Sequence, residues 1–188
     1  CFWKLPGVVT TSVGYAGGKK NNPTYYEVCS GLTGHSEVVR VIWDKREIDV
    51  SDLLKMFWEC HDPTQKNRQG NDMGTQYRSA IYYKNENNIK TILASKEQYQ
   101  TELSKKNLGL IETEIKMIDS YFYAEQYHQQ YLASAGSRQY CSASPTKVKL
   151  GVFTGSNYKL EDHIWENFNW EVDKCVLRSD NNPIKNNI

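Results

Sequence analysis

The sequence predicts a protein of the α+β class, with two layers in which helices pack against a mixed β-sheet. Short segments rich in β-branched and aromatic residues alternate with longer segments whose apolar residues recur at helical spacing. The length of 188 residues is enough to bury a core and suits one domain with an extension. No internal repeat is visible, and the composition changes only at the Asn-rich C-terminal tail.

The first part of the chain contains two predicted strands with a short helix between them. Residues 8–15 follow a Leu-Pro-Gly turn and are β-branched or small, which is typical of a strand. Thr24, followed three residues later by Glu27, has the pattern of a capping box, so a short helix should begin here and end near Gly31. Residues 36–44 alternate apolar and polar side chains and form the second predicted strand.

The middle of the chain contains an amphipathic helix and a long polar loop. Ser51 is the predicted N-cap of the helix. Four of its residues share one side at helical spacing: Leu54, Phe57, Trp58 and His61. The loop covers residues 62–76, and a strand is predicted over residues 77–83.

The remaining elements are a helix over 85–106, a strand over 111–117 and a short helix over 123–133. Periodicity fades beyond about Ser134, which predicts irregular structure towards the end of the chain.

Composition and charge exclude several classes of function. The formal net charge of +1 gives no strong field for binding nucleic acid or an acidic membrane. No apolar run approaches the ~20 residues that a membrane-spanning helix needs. The five cysteines are odd in number and widely spaced, which argues against a disulfide scaffold and CxxC zinc sites. They are Cys1, Cys29, Cys60, Cys141 and Cys175.

Four segments carry candidate functional residues. Cys1 precedes two large aromatic residues and needs a partner that lowers the thiol pKa from its usual value near 8.5. Glu37 starts a strand after a glycine-rich turn and by itself suggests only a solvated side chain. Asp72 lies in a long loop between two glycines, and this loop ends at Tyr77, which favours a functional role. His128 lies in a predicted helix and alone indicates a structural role.

Together these segments closely resemble the peptide methionine sulfoxide reductases of the A type. The resemblance covers residues 1–132 and rests on motifs in matching order: Cys1-Phe2-Trp3, Gly14-Tyr15-Ala16-Gly17-Gly18, Pro23-Thr24-Tyr25, Glu27-Val28-Cys29-Ser30-Gly31, Thr33-Gly34-His35, Gly70-Asn71-Asp72, Gly74-Thr75-Gln76-Tyr77-Arg78-Ser79 and His128-Gln129-Gln130-Tyr131.

The resemblance implies a reaction at a thiol. In this family a thiolate, here Cys1, attacks the sulfur of a methionine sulfoxide. An acid must protonate the sulfoxide oxygen, and that role maps to Glu37, with Tyr25 and Tyr77 as hydroxyl donors to the same oxygen. Glu37 can serve near neutral pH only if its pKa lies well above the ~4.3 reference, which requires burial.

Four further residues receive supporting roles through the resemblance. Phe2 and Trp3 would form an apolar cage for the substrate methyl group and exclude water from the acid. Asp72 and Tyr131 match positions that shape the substrate pocket and hold its hydrogen-bond network.

The resemblance also implies how the enzyme is recycled. Attack leaves a sulfenic acid on Cys1, which a second thiol converts to a disulfide and thioredoxin then reduces. Cys141 is the expected resolving thiol, and Cys175 is a candidate for a second one. No bound cofactor and no metal are expected. Cys29 and Cys60 fall in predicted helices and are interpreted as small buried residues.

The sequence departs from the family pattern near its start and near the resolving cysteine. Family members carry a further helical stretch between the Trp and the Leu-Pro-Gly turn, and its N-terminus would help to lower the thiol pKa. Here Trp3 continues through Lys4 directly into Leu5. The glycine-rich sequence usual around the resolving cysteine is also replaced, by residues 133–139.

The resemblance predicts a catalytic α+β domain with a ferredoxin-like core over residues 1–133. A long irregular C-terminal segment with the resolving cysteines follows over residues 134–188. The expected substrates are the S-sulfoxides of free methionine and of methionine in oxidised proteins, so that the protein would act in repair. We expect a monomer that binds thioredoxin but neither nucleic acid nor membrane. Its expected location is the cytoplasm, and a nuclear or organellar pool stays open as an alternative.

Two alternatives remain open from the sequence. One is a truncated, non-catalytic isoform that only binds the substrate or thioredoxin. The other is a metal-dependent enzyme or binder, although its candidate ligands show no close spacing such as HxxxH. These ligands are His35, Glu37, His61, Asp72 and His128.

Overall fold

The computed structural model of the protein describes residues 1–133 and 143–166. Seven β-strands occur in these residues: β1 (Val8–Ala16), β2 (Ser36–Trp43), β3 (Arg68–Gln69), β4 (Asp72–Met73), β5 (Ala80–Tyr83), β6 (Glu114–Met117) and β7 (Tyr121–Tyr123). Four α-helices accompany them: α1 (Tyr25–Cys29), α2 (Val50–Glu59), α3 (Ile89–Lys105) and α4 (Asp162–Glu166). Short 3₁₀-helices lie at Phe2–Lys4, Thr75–Tyr77, Glu86–Asn88, Gln126–His128 and Tyr131–Ala133. The α+β class is therefore confirmed.

The strands combine antiparallel and parallel pairing, but the hydrogen bonds divide them into three small sheets. Strand β1 pairs antiparallel with both β2 and β7 and forms the centre of the largest sheet. Strands β5 and β6 pair in parallel, and β3 with β4 forms a two-residue hairpin. In the largest sheet Val8 lies opposite Trp43 at one end, and Tyr15 lies opposite Glu37 at the other.

The larger hydrophobic core lies between helices α2 and α3. The rings of Trp58 and Tyr99 stack with centroids 5.6 Å apart, and both side chains are fully buried. The Trp58 indole donates to the Ser95 hydroxyl at 2.9 Å, so its polar atom is satisfied inside the core. Leu150 and Phe153, from the segment after residue 142, complete this core.

A second apolar cluster lies at the Val8–Trp43 end of the largest sheet. Its buried members come from the start of the chain, from α2 and the turn before it, and from α4 and the residues before it: Leu5, Ile48, Leu53, Met56, Leu160 and Ile164. Cys1, Phe2 and Trp43 pack against it as partly buried residues. The beginning of the described chain is therefore held at this end of the sheet.

Two predictions are wrong, one for the start of a helix and one for a whole helix, and side-chain hydrogen bonds explain both. Helix α2 is capped by Asp49 rather than Ser51, because Asp49 accepts from the Ser51 amide at 2.9 Å while Asp52 accepts from the Asp49 amide at 3.0 Å. The helix predicted over 123–133 is instead the end of β7 followed by 3₁₀-turns. The Gln129 side chain binds both backbone groups of Val13 on β1 at 2.9 Å, which holds this segment against the sheet.

The other differences are small. The predicted loop over 62–76 contains the β3–β4 hairpin. Each strand has only two residues, which is too short to show an alternating sequence pattern. Strand β5 begins three residues later than predicted, because a 3₁₀-turn at Thr75–Tyr77 precedes it. Among the described residues no helix is both long and apolar enough to cross a membrane.

Candidate active site

A pocket opens at the end of the largest sheet where Tyr15 and Glu37 lie opposite each other, and its cavity volume is about 330 Å³. Strands β1 and β2, helix α1, the 3₁₀-turn at Thr75–Tyr77 and the turn after β7 all contribute to its wall. The lining residues are Val13, Gly14, Tyr15, Tyr25, Glu37, Val38, Val39, Gln69, Gln76, Tyr77, Arg78, Ala124 and His128. Three residues that the sequence predicted for one site, namely Glu37, Tyr25 and Tyr77, therefore meet here.

Glu37 is the acidic residue of this pocket. Neighbouring atoms desolvate its carboxylate and the Asp72 carboxylate repels it, which together raise the pKa of Glu37 to about 7. The residue still keeps a large solvent-exposed surface, because no described residue covers the outer side of the pocket. Glu37 is thus partly protonated at neutral pH and able to donate a proton there.

Tyr25 and Tyr77 present neutral hydroxyl groups at the same pocket. The pKa of Tyr25 is raised by a hydrogen bond between its hydroxyl and the Cys29 thiol, by burial and by the charge of Glu37. Burial and the charge of Glu37 also raise the pKa of Tyr77. Both phenols therefore keep their protons at neutral pH and can donate hydrogen bonds to an oxygen placed near Glu37.

Local structure fixes the position of Tyr25. It is the first residue of α1, whose N-cap Thr24 forms the predicted capping box with Glu27. Glu125, in the turn after β7, also holds this residue. Its carboxylate accepts hydrogen bonds from the Tyr25 amide at 2.8 Å and from the Tyr15 hydroxyl at 2.7 Å. The helix, the central strand and the turn after β7 are joined through this one carboxylate.

Tyr77 is positioned by the turn that precedes β5. Gly74 starts this turn at φ 143°, a conformation that L side chains rarely adopt. The Ser36 hydroxyl is 3.2 Å from the carbonyl oxygens of Gln76 and Arg78 and holds the turn against the first residue of β2. The Arg78 guanidinium donates to Glu114 at 2.6 Å, so its charge is paired outside the pocket.

Some residues at or near the pocket carry no functional signal of their own in the sequence. Gln76 and Arg78 line it and belong to the motif around Tyr77. Cys29, predicted to be buried, is exposed and contacts Tyr25 without lining the pocket. His128, interpreted as structural, lines the pocket and lies between the rings of Tyr25 and Tyr127, with centroids at 4.6 and 4.3 Å. Cys29 was identifiable from its i,i+4 spacing to Tyr25 on a helix.

The structure does not bring Cys1, Phe2 and Trp3 to this pocket, and none of them lines it. Cys1 is half-buried and packs, with Phe2, against the apolar cluster at the Trp43 end of the sheet. Trp43 lies six residues beyond Glu37 on β2, which separates the two positions by about 20 Å at about 3.3 Å per residue. The apolar cage expected around the substrate methyl group is not formed in this arrangement.

The short connection after Trp3 accounts for this separation. Because Trp3 is followed almost directly by Leu5, which is 1% exposed, the first residues stay beside the Leu-Pro-Gly turn. A helix in this place would carry Cys1 along the sheet by about 1.5 Å per residue. The turn lies at the Val8 end of β1, and Glu37 lies opposite the other end.

The remaining predicted residues are distributed as follows. Asp72 lies on β4 and acts on Glu37 through its charge. Tyr131 is in the last 3₁₀-turn of this part of the chain and is 43% exposed. Cys141 and Cys175 lie outside the residues that the structure describes.

The five residues that the sequence offered as metal ligands do not form a metal site in the described part of the chain. His35 accepts from the Gly18 amide at 3.1 Å through Nδ1, so its Nε2 donates to the Lys20 carbonyl at 2.7 Å. His61 is occupied by the Phe57 carbonyl at 2.7 Å and the Ser79 hydroxyl at 2.8 Å. In residues 1–133 and 143–166 no group of three or more His, Cys, Asp or Glu side chains is placed to hold a metal ion.

Comparison with known proteins places this arrangement in a family. The family described as peptide methionine sulfoxide reductase matches residues 1–158. The peptide methionine sulfoxide reductase MsrA of Azotobacter vinelandii is 56% identical over 149 residues, which cover 79% of this chain and 68% of that protein. The MsrA of Vibrio vulnificus is 56% identical over 147 residues, 78% of this chain and 70% of that protein.

Solved structures agree with the sequence relatives. Methionine sulfoxide reductase A of Corynebacterium diphtheriae is 43% identical, with a TM-score of 0.66 over 80% of this chain and 74% of that one. Reduced Mxr1 from Saccharomyces cerevisiae is 34% identical, with a TM-score of 0.66 over 72% of this chain and 76% of that one. The chain belongs to the peptide methionine sulfoxide reductase family and is an oxidoreductase.

Proposed function

We propose that the protein reduces the S-sulfoxide of methionine, free or in oxidised proteins, to methionine in the pocket beside Glu37. The observation that carries this proposal is a carboxyl group with a pKa of about 7 in a cavity that two tyrosine hydroxyls also line. Sulfoxide oxygen is a poor leaving group, so its bond to sulfur breaks only if the oxygen is protonated or strongly hydrogen-bonded. Glu37 would donate the proton, and Tyr25 and Tyr77 would hold the oxygen in place.

The attacking sulfur in this proposal is the Cys1 thiolate. It attacks the sulfoxide sulfur and takes over the oxygen, so that methionine leaves and Cys1 becomes a sulfenic acid. The sulfoxide sulfur gains two electrons and the Cys1 sulfur loses two. The proton from Glu37 remains on the transferred oxygen, and the thiol proton lost by Cys1 restores the acid. Phe2 and Trp3 would follow Cys1 and form the apolar wall around the methyl group.

This role requires the first residues to leave their position in the described structure. Cys1 and Phe2 would have to detach from the apolar cluster at the Trp43 end and move about 20 Å along the sheet. The outer side of the pocket is open to receive them, since Val39 beside Glu37 is 48% exposed. Asp72 and Tyr131 keep the supporting roles that the family resemblance implies.

We further propose that a second thiol resolves the sulfenic acid to a disulfide with release of water. Cys141 is the first candidate and Cys175 a second one, with thioredoxin as the external reductant. Such a cycle would place the protein in the repair of oxidised proteins. A monomeric state and a cytoplasmic location stay predictions from the sequence.

A second candidate function is supported by the position of Cys1. If Cys1 stays in the apolar cluster, the protein is a non-catalytic isoform that binds a sulfoxide or thioredoxin without turnover. This alternative predicts that the pocket binds methionine sulfoxide while no methionine forms.

The test is a single-turnover assay with N-acetyl-methionine S-sulfoxide, in which methionine formation is measured by chromatography. We expect Glu37→Gln to lower the rate by about 100-fold or more, because the amide cannot transfer a proton. Glu112→Gln, at an exposed glutamate outside the pocket, serves as the matched control and should leave the rate unchanged. Equal rates in both variants would refute the role of Glu37, and no product from the intact protein would favour the binding-only isoform.

A further inference from the structure

Two exposed tyrosines, Tyr26 and Tyr127, each contact a residue that lines the pocket. Tyr26 is 81% exposed and Tyr127 is 61% exposed. Neither has a role in the proposed reaction. Large aromatic side chains left in solvent as a group are typical of surfaces that bind a partner.

Ring contacts connect this exposed tyrosine pair with the interior of the pocket. The Tyr26 ring contacts the Tyr25 ring edge-to-face, with centroids 5.9 Å apart. The Tyr127 ring lies 4.3 Å from His128, which in turn lies 4.6 Å from Tyr25. Tyr25 and His128 both line the pocket, so one aromatic surface extends from the pocket wall to the solvent.

The exposed tyrosine pair is held in place before any ligand binds. Tyr26 follows the capped first residue of α1, and Tyr127 lies in the 3₁₀-turn directly after Glu125. Glu125 joins these two elements by accepting from the Tyr25 amide at 2.8 Å. A surface that is ordered in advance loses little conformational entropy on binding.

Charge around the pair favours an uncharged ligand. Glu27 on α1 is paired with Lys20 at 3.2 Å. Glu125 is occupied by the Tyr15 hydroxyl and the Tyr25 amide. Glu27 is thus paired, the Glu125 carboxylate disfavours an acidic side chain nearby, and the two rings offer apolar faces.

The spacing fits a peptide whose methionine sulfoxide occupies the pocket. Side chains two residues apart in an extended peptide lie on the same side, about 6.8 Å from each other. This separation is close to the 5.9 Å between the ring of Tyr25 in the pocket wall and the exposed ring of Tyr26. A second side chain of the same peptide thus reaches Tyr26. Tyr127 lies nearby, since Tyr26 adds to the effects of burial and Glu125 that raise the pKa of the Tyr127 phenol.

We propose that Tyr26 and Tyr127 form a specificity subsite for an aromatic or large apolar side chain two residues from the methionine sulfoxide of a peptide substrate. The inference rests on the proposed function for its substrate. It explains how the protein would prefer oxidised methionine in exposed hydrophobic segments to the free amino acid.

The test compares two sulfoxide peptides, acetyl-Phe-Gly-Met(O)-Gly-Phe-amide and the same peptide with glycine in place of both phenylalanines. We expect the intact protein to show a kcat/KM about tenfold higher for the phenylalanine peptide, the size of one good aromatic contact. The double variant with Tyr26→Ala and Tyr127→Ala should treat both peptides alike, while its turnover of N-acetyl-methionine sulfoxide stays unchanged. A preference that survives in the double variant would overturn the proposal.

Tyr123→Ala is the matched control, because Tyr123 is also exposed, at 64%, but lies on the face of the sheet that carries Arg40, away from Glu37. Calorimetric titration with the same peptides separates this inference from the proposed function. Tighter binding of the phenylalanine peptide that the double variant loses would support the subsite even if no methionine forms. Equal binding of both peptides would overturn it. So would the finding that the intact protein is a dimer and the double variant a monomer, because the two tyrosines would then form a subunit interface.

Discussion

At the scale of single residues, the acidity of Glu37 results from two effects that respond differently to mutation. Desolvation by the pocket wall is the larger one, and the Asp72 carboxylate adds repulsion from a neighbouring hairpin. Both favour the protonated form of Glu37. Asp72 therefore acts on the pocket through its charge.

Asp72→Asn should lower the pKa of Glu37, because the amide removes a like charge that disfavours ionisation. We expect the value of about 7 to fall by up to about one unit. The protonated share of Glu37 at pH 7 then decreases. A titration of the labelled Glu37 carboxyl carbon by NMR measures this directly, with Glu112→Gln as a control that leaves the curve in place. An unchanged curve in Asp72→Asn would show that desolvation alone sets the pKa.

Cys1→Ser should abolish methionine formation even in a single turnover, because serine cannot accept the sulfoxide oxygen. Cys60→Ser is the matched control, since Cys60 packs against the same apolar cluster as Cys1. Its thiol is 3.4 Å from the Phe57 carbonyl, a contact that a serine hydroxyl can replace. Product formed at the normal rate in Cys1→Ser would assign the attack to another thiol.

At the scale of elements, hydrogen bonds to helix α2 hold the segment after residue 142 against the rest of the fold. Asp52 is fully buried and accepts hydrogen bonds from the amides of Asp49, Lys159 and Leu160. One side chain thus caps its own helix and holds a segment more than a hundred positions away. Burial nevertheless raises the pKa of Asp52, since these bonds compensate only part of its desolvation.

Asp52→Ala should destabilise the fold by about 2–4 kcal/mol, because it leaves one buried and two partly buried amides without an acceptor. Asp52→Asn should cost less, since it keeps one acceptor oxygen and removes the buried charge. Urea unfolding followed by circular dichroism measures the difference. Glu102→Ala removes an exposed pair with Lys105 and should change stability by about 0.5 kcal/mol or less. A loss of similar size in both alanine variants would contradict the anchoring role of Asp52.

At the scale of the whole molecule, the proposed acid Glu37 and the proposed nucleophile Cys1 lie at opposite ends of the β1–β2 strand pair. Glu37 lies at one end of β2, and the cluster that holds Cys1 lies at the other. The face between them is left partly open, with Val39 48% exposed beside Glu37. An element covering this face would both carry the thiol to the acid and desolvate Glu37 further.

Inserting an amphipathic helix of about thirteen residues between Trp3 and Lys4 should raise the single-turnover rate by at least about tenfold. At 1.5 Å per residue such a helix spans about 20 Å, the separation between Trp43 and Glu37 along β2. Placing a nucleophile beside its target in this way increases its effective concentration. Chromatographic measurement of methionine tests the prediction, and an inserted flexible Gly-Ser segment of equal length is the control. A helical insertion that changes nothing would mean that Cys1 already reaches the pocket.

The sequence by itself determined the class of fold, the family and the identity of the acidic and hydroxyl groups in the pocket. The class of fold follows from short-range patterns, as the capping box at Thr24 and Glu27 illustrates. The family and the pocket residues follow from the resemblance, which rests on several motifs in matching order. Short-range patterns failed where a distant partner competed for the same segment. One example is Gln129, whose side chain forms hydrogen bonds with the backbone of β1. Turns therefore form where the sequence predicted a helix.

Only the tertiary structure decided which of these residues meet. The distance between Cys1 and Glu37 depends on strand length, register and the turn at Leu5, and no motif around either residue contains this information. The pKa of Glu37 likewise arises from burial in the pocket wall and from Asp72, which lies on another element. Desolvation and repulsion act through space, so they become visible only when the chain is folded.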